Sequence, residues 1–359
     1  MRRTFHASTF ALTLAALAAS APAAGAQTRR GAQAPRTAGN MTAKAPAQTK
    51  APAQKPVVAE SVPLPASDAL LAVDLDKLFK EVVPRALAGD SARLAQVNAD
   101  VDAFKARTGI DARAFERLVV GARIVRLESG AVKLDNVTAV ARGRVDAAAL
   151  GASIRAASKG AVAEQQYGGK TVYVTTVNDT IKIFGLARVR LKELAVVALD
   201  SDMIAMGEPE DVRAVVDAQT GKRPRADVGA LLPAKGPNDI IAFGGNVPAG
   251  TLEGVETGLP GLDRAISSIQ GFYGSASSTA AGIQLMTTLR AATAADAKQL
   301  FDSLDALRQI APGLIAMAGE KGKFAKNALN TLKITTKANE VQLRLEVPQS
   351  DLTTLLRAL

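Results

Sequence analysis

The sequence predicts an α+β fold, in which two similar halves of antiparallel strands and hairpins are each followed by capped helices packed on the sheet. Three observations carry this. Residues 195–218, AVVALDSDMIAMGEPEDVRAVVDA, alternate with period 2 on either side of Asp200-Ser201-Asp202 and change to period 3.6 after Pro209. The pattern returns after LKITTKANEVQLRLEV, where Pro348-Gln349-Ser350-Asp351-Leu352 with Leu355 and Leu356 mirrors Pro209-Glu210-Asp211-Val212 with Val215 and Val216. Residues 239–243, DIIAF, answer residues 69–73, ALLAV, and the same order of parts follows each.

Taken in order, residues 1–26 have the three parts of an export leader: Arg2 and Arg3, an apolar core, and Ala24-Gly25-Ala26 before a cleavage point. The core is shorter than the roughly 18 to 20 apolar residues that span a bilayer. Residues 27–61 are rich in alanine, proline, glutamine, threonine and lysine, and lack the apolar side chains that would offset ordering entropy; a disordered, basic tether is expected there. Residues 62–220 form the first expected half, 221–235 a linker rich in glycine, proline and charge, and 236–359 the second half.

Within the first half, residues 69–73 read as a buried strand and Asp74 as the cap of a helix with Leu75, Leu78, Phe79 and Val82 on one face. A second helix over 91–107 ends at Gly109, and Asp111 caps a short helical turn. Strands follow over 119–127 and 132–145, and Asp146 caps AAALGASIRAASK. Tyr173 lies in KTVYVTTV, with a turn expected at Asn178-Asp179 leading into TIKIFGL. In the second half, strands are expected over 266–275 and 283–289, with Thr293 capping AADAKQLFDSLDALRQI.

With this leader, tether and repeated strand-and-helix units, the chain resembles exported bacterial proteins of an uncharacterised family with alanine-rich sequences. The resemblance implies localisation in the periplasm or outside the cell and brings no catalytic residues.

Composition narrows the chemistry. The chain has no cysteine, and its one histidine, His6, lies in the leader; thiol and imidazole chemistry are therefore excluded from the mature protein, and no cofactor is expected. Nor does the sequence contain a phosphate-loop, dinucleotide, nucleophile-elbow or zinc-protease motif. There is no tryptophan and aromatics make up 4% of the chain, which argues against nucleic acid as a partner. The net charge of +10 is concentrated at the start: Arg2 and Arg3, then Arg29, Arg30, Arg36, Lys44, Lys50 and Lys55 against Glu60. Without these residues the chain is close to neutral.

Two groups stand out as candidate sites. Asp200, Asp202, Glu208, Glu210 and Asp211 are either a cation site or, with spacing unlike a calcium loop, a turn followed by a negatively charged helix start. Arg142 with Arg144, and Arg188 with Arg190 and Lys192, alternate so that each set shares a strand face; if the strands are neighbours they form a basic surface for an anion or a partner. The expected function is a non-catalytic binding or scaffold protein of the cell envelope, not an enzyme. Its expected partner is an envelope protein, or an anionic envelope polymer or lipid surface reached by the tether, with no transmembrane segment left after cleavage. The alternative is a carrier of an apolar or amphiphilic ligand between sheet and helices, using the small residues Ala139, Ala141 and Gly143. Expression in an exporting bacterium should yield a chain beginning at Gln27; N-terminal sequencing that finds Met1 retained would overturn the leader.

Overall fold

The structure is a computed structural model that describes residues 62–183, 187–255, 260–316, 327 and 329–351, with backbone alone at 177–183, 187–191, 260 and 313–316. The expected leader and tether lie outside the described residues, as do Leu355 and Leu356. Among the described residues twelve strands form one antiparallel sheet in the order β11-β12-β10-β9-β8-β1-β2-β3-β7-β6-β5-β4.

Along the chain, β1 (Ala69–Asp74) leads into α1 (Leu75–Lys77), a π-type turn and α2 (Val83–Ala86). As expected, Asp74 caps this run, accepting from the Lys77 amide at 3.0 Å. Next come α3 (Ser91–Thr108), β2 (Phe115–Arg126), β3 (Val132–Gly143) and α4 (Ala147–Ala157). Asp146 caps α4 by accepting from the amides of Ala148 and Ala149. Then follow β4 (Val162–Tyr167), β5 (Lys170–Ile183), β6 (Ala187–Ala198), β7 (Met203–Gly207) and α5 (Pro209–Gln219). The last series is α6 (Val228–Leu231), β8 (Asp239–Asn246), α7 (Pro260–Ser267), β9 (Ile269–Ser278), β10 (Gly282–Ala291), α8 (Ala294–Ala316), β11 (Lys333–Lys337) and β12 (Glu340–Pro348). Thr293 caps α8, accepting from the Asp296 amide at 3.1 Å.

At the centre, β1 lies antiparallel to β8, with Ala69 opposite Gly245 and Val73 opposite Ile241. Outward from this seam one side runs β1, β2, β3, β7, β6 and the other β8, β9, β10, β12, β11; the first continues into β5 and β4. Helices cover the two sheet faces unequally. Leu70, Val140, Val174, Val197 and Ala205 meet Val212, Val215 and Val216 of α5 and Leu231 of α6. Each of these α5 valines is fully buried, and burial of such a side chain contributes roughly 1.5–3 kcal/mol. On the opposite face Val73, Ala141, Tyr173, Val196 and Ile204 pack with Ile154 of α4 and Leu75. Register carries that second face through Gly245, Phe272, Leu289 and Val341, where α7 and α8 cover it with Leu262, Ala265 and Leu300.

Two local expectations are corrected. There is no turn at Asn178-Asp179: β5 runs on to Ile183, and the irregularity there is a register shift between Thr176 and Asp179, a bulge that keeps both strands paired. The strand expected over 266–275 is helical up to Ser267 in α7, and β9 begins at Ile269. Residues 221–235, expected as a linker, contain α6, capped by Asp227 through the Ala230 amide at 3.0 Å.

Gly109 ends α3 as expected, with φ of 74°, and a Cβ there would sit 2.6 Å from the Ser153 carbonyl carbon and oxygen on α4. Both backbone strain and a rigid neighbour oppose a side chain. Gly109→Ala should therefore cost roughly 2–4 kcal/mol in denaturant unfolding. A loss near zero would mean that α3 and α4 can separate without cost.

Candidate functional site

The row Leu70, Gly244, Tyr273, Thr288, Gln342, Thr335 crosses the sheet on the face that α5 covers. It starts apolar and ends polar. Beyond Gly244 the same face carries Ser275, Met286, Arg344 and Lys333 in a second row, and Arg290, Glu340 and Lys337 in a third. Gln342, Arg344, Lys333, Thr335 and Lys337 are exposed. Toward β12 and β11 this face is exposed and of mixed charge, whereas on β9 and β10 Ser275 and Thr288 are buried and Tyr273 and Met286 half-buried.

Cross-strand contacts hold these side chains in place. Arg344 donates to Gln284 Oε1 at 2.7 Å, and Gln342 lies 3.3 Å from the Met286 sulfur. Tyr273 donates its hydroxyl to Glu340 Oε2 at 3.1 Å, and the Arg290 guanidinium stands 5.8 Å from the centre of the Tyr273 ring. Burial, with the Glu340 carboxylate as acceptor, pushes the Tyr273 phenol above its ordinary value, so it stays a neutral donor. At the rim, Leu231, Leu232, Pro233, Asn246, Tyr273 and Arg290 line a cleft of about 170 Å³. That is below the roughly 300–1,000 Å³ of ordinary small-ligand sites.

The basic residues singled out from the sequence do not come together. β7 lies between β3 and β6. Arg142 sits opposite Met203, whose carbonyl accepts from the Leu199 amide, so Arg142 is level with Leu199 and seven residues from Lys192 along β6. Arg142 is also engaged, with Nε 3.0 Å and a terminal nitrogen 2.9 Å from Asp202 Oδ2. Arg144 is exposed just beyond β3, and Lys192 is exposed on β6. Arg188 and Arg190 occupy β6 by backbone, opposite Lys182 and Thr180; their side chains lie outside the description.

The acidic cluster is a turn followed by a helix start. Asp200 accepts from the Asp202 amide at 3.0 Å, closing the turn between β6 and β7. Burial and the adjacent Asp202 carboxylate push Asp200 up, while the hydrogen bond with Asp200 and the Arg142 guanidinium hold Asp202 down. Among the described residues no three carboxylates or histidines converge as metal ligands.

Of the small residues of β3, two are enclosed. Ala141 is buried beside Ile154, and a Cβ on Gly143 would lie 2.5 Å from the Ala114 carbonyl oxygen. On α4, Gly151 faces the Tyr173 hydroxyl with no room for a methyl group. Ala141 and Gly143 are thus taken up by packing, while Ala139 is half-buried.

Sequence reasoning missed the face that carries Arg290 and Arg344, because Thr, Gln, Arg and Lys alternating with apolar residues signal only a half-buried strand. Which strands sit side by side, and which face a helix covers, follow from the crossovers.

Asp211 is a further buried carboxylate, 7% exposed, at the start of α5, and it accepts from Asn136 Nδ2 at 2.8 Å. Burial, reinforced by Asp135 and Glu210, raises it above the ordinary 3.8. A raised carboxylate stabilises the fold while protonated, and that contribution is lost as pH rises through the raised folded value. Asp211→Asn, which keeps the acceptor for Asn136, should raise the thermal midpoint at neutral pH and flatten the decline in stability above pH 3.8. A lower midpoint than wild type at neutral pH would show that the charge at the helix start outweighs its burial.

No family model matches the chain, and no curated protein matches it. Among solved structures, TP0453 in crystal form I is similar over 84% of this chain and 98% of its own, with a TM-score of 0.43 and 8% identity. TP0453 in crystal form III is similar over 83% and 97%, with a TM-score of 0.45 and 8% identity. At that depth the likeness assigns this chain neither a ligand nor a role.

Proposed function

We propose that this protein is a non-catalytic binding or scaffold protein of the cell envelope, and that it holds a protein partner on this face of β9, β10, β12 and β11. The observation that carries this reading is the grouping of exposed Arg290 and Arg344 with half-buried Tyr273 and Met286 on one sheet face. Tyrosine, methionine and arginine are the types enriched where proteins meet. Their geometry is set by cross-strand contacts before any partner arrives, which lowers the ordering cost of association. The absence of cysteine, and of histidine outside the expected leader, supports a binding role over catalysis. The rim cleft is too small for a lipid chain, and Ala141 and Gly143 of β3 are packed, so neither favours the carrier reading.

The test is affinity capture from the native envelope at low and at high salt, with wild-type protein and with Arg344→Glu and Met286→Glu. A partner on this face is expected to remain at high salt and to bind each variant at least about 30-fold more weakly, the loss typical of a central interface residue. The same captured set with wild type and both variants would overturn the assignment.

A further inference from the structure

The rim cleft lies where the helical cover of this face stops. The Leu231 carbonyl of α6 sits on β8 at Gly244, so closely that a Cβ there would collide with it. Tyr273 on β9 is the next residue of that row, and Arg290 on β10 belongs to the adjoining row of the same face. Between them the cleft is lined by Leu231, Leu232 and Pro233 from the α6 segment and by Asn246, Tyr273 and Arg290 from the strands.

Its size and its lining are both selective. A volume of about 170 Å³ is close to the roughly 150 Å³ that takes a single benzene ring. Leu231 is part of the core under α5 and α6, and Leu232 packs against it, so the apolar wall is fixed before anything binds. Asn246 and Arg290, by contrast, are exposed. The Arg290 guanidinium is oriented by the Tyr273 ring, 5.8 Å away, and by Glu340, whose Oε1 accepts from Nε at 3.4 Å. Its two terminal nitrogens donate to no other group among the described residues. That leaves free the planar fork with which an arginine grips a carboxylate.

We propose that this cleft anchors the protein partner by one aromatic side chain, with a neighbouring carboxylate of the partner held by Arg290. The inference rests on the partner reading above and adds the chemistry that is recognised. A wholly apolar segment would leave the Arg290 fork without an acceptor, and a wholly acidic one would leave the leucine and proline wall in water. A ring with a carboxylate beside it satisfies both at once. An aromatic group in a preformed recess next to an arginine is also the kind of contact in which binding energy concentrates.

Phenylpropionate, which joins one ring to one carboxylate, is the probe, titrated into the full chain with labelled leucine methyl groups. The methyl signals of Leu231 and Leu232 should shift with a Kd of about 1 mM, as suits a ligand of this size. Phenylpropanamide, which keeps the ring and loses the charge, should bind about tenfold more weakly, and propionate should leave both signals in place. Arg290→Gln should abolish the preference for the acid over the amide, and Arg290→Lys should keep part of it. Ala230→Trp, at an exposed position of the rim, should fill the cleft and abolish the shifts, with the other leucine signals unmoved as the sign of an intact fold. No shift of Leu231 or Leu232 in wild type at roughly ten times that Kd would overturn the proposal, and so would equal binding of acid and amide. In envelope capture, Ala230→Trp should weaken retention of the partner about 30-fold, and phenylpropionate should compete with it. The two failures separate. A partner lost with Met286→Glu but kept with both Ala230→Trp and Arg290→Gln leaves the face as the interface and overturns the anchor. Probe binding that Ala230→Trp abolishes, with a captured set unchanged by Met286→Glu and Arg344→Glu, supports the cleft's ligand chemistry and overturns the partner reading.

Discussion

Everything in this fold hangs on the seam between β1 and β8. Ala69–Val73 and Ile241–Gly245 complete each other's backbone hydrogen bonding, and without that ladder each series of strands would end in an open apolar edge. The seam admits no side chain at its glycines: a Cβ on Gly245 would stand 2.6 Å from the Asp68 carbonyl oxygen, and one on Gly244 would collide with the Leu231 carbonyl. The segment joining the two series is tied down at the same place. Lys235 reaches Asp74 at 3.0 Å, and Lys77 donates to the Pro237 carbonyl at 2.6 Å. Burial alone would raise Asp74, but the Lys77 amide and the two ammonium groups outweigh it and hold the carboxyl below its ordinary value.

From that seam the two series diverge in what they bury. On one side Val212, Val215 and Val216 seal the sheet face under α5; on the other the same face ends in exposed Gln342, Arg344 and Thr335. Both series cover the opposite face with helices. What is shared between them is therefore the layer that makes the core, and what differs is the layer that meets solvent. A function resting on surface contact belongs to the second.

Much of this architecture can be read in the residues. Asp74, Asp146 and Thr293 announce helices because a side-chain oxygen beside an apolar run satisfies the free amides of a first turn, and each does so here. Gly109 ends its helix for an equally local reason. Asn178-Asp179 misleads, because the residues that favour a turn also suit a bulge, and only pairing with Leu191 and Glu193 decides between them. β4, with Ala163, Glu164, Gln165 and Gln166, has little apolar pattern and is a strand because β5 offers it an edge. The candidate site is less legible still. Arg188, Arg190 and Lys192 are visible as an alternating set, but their separation from Arg142 follows from β7 lying between β3 and β6.

The outermost strands have a consequence for the protein in a crowded compartment. β11 is five residues long, begins and ends in lysine, and is exposed at Lys333, Thr335, Thr336 and Lys337. At the other end β4 presents the Glu164 carboxylate, held by Arg155 at 2.6 Å. A second molecule approaching edge to edge would have to desolvate these charges for only a few backbone hydrogen bonds. Charge at β11 and β4 therefore disfavours growth of the described sheet by strand addition at these two edges.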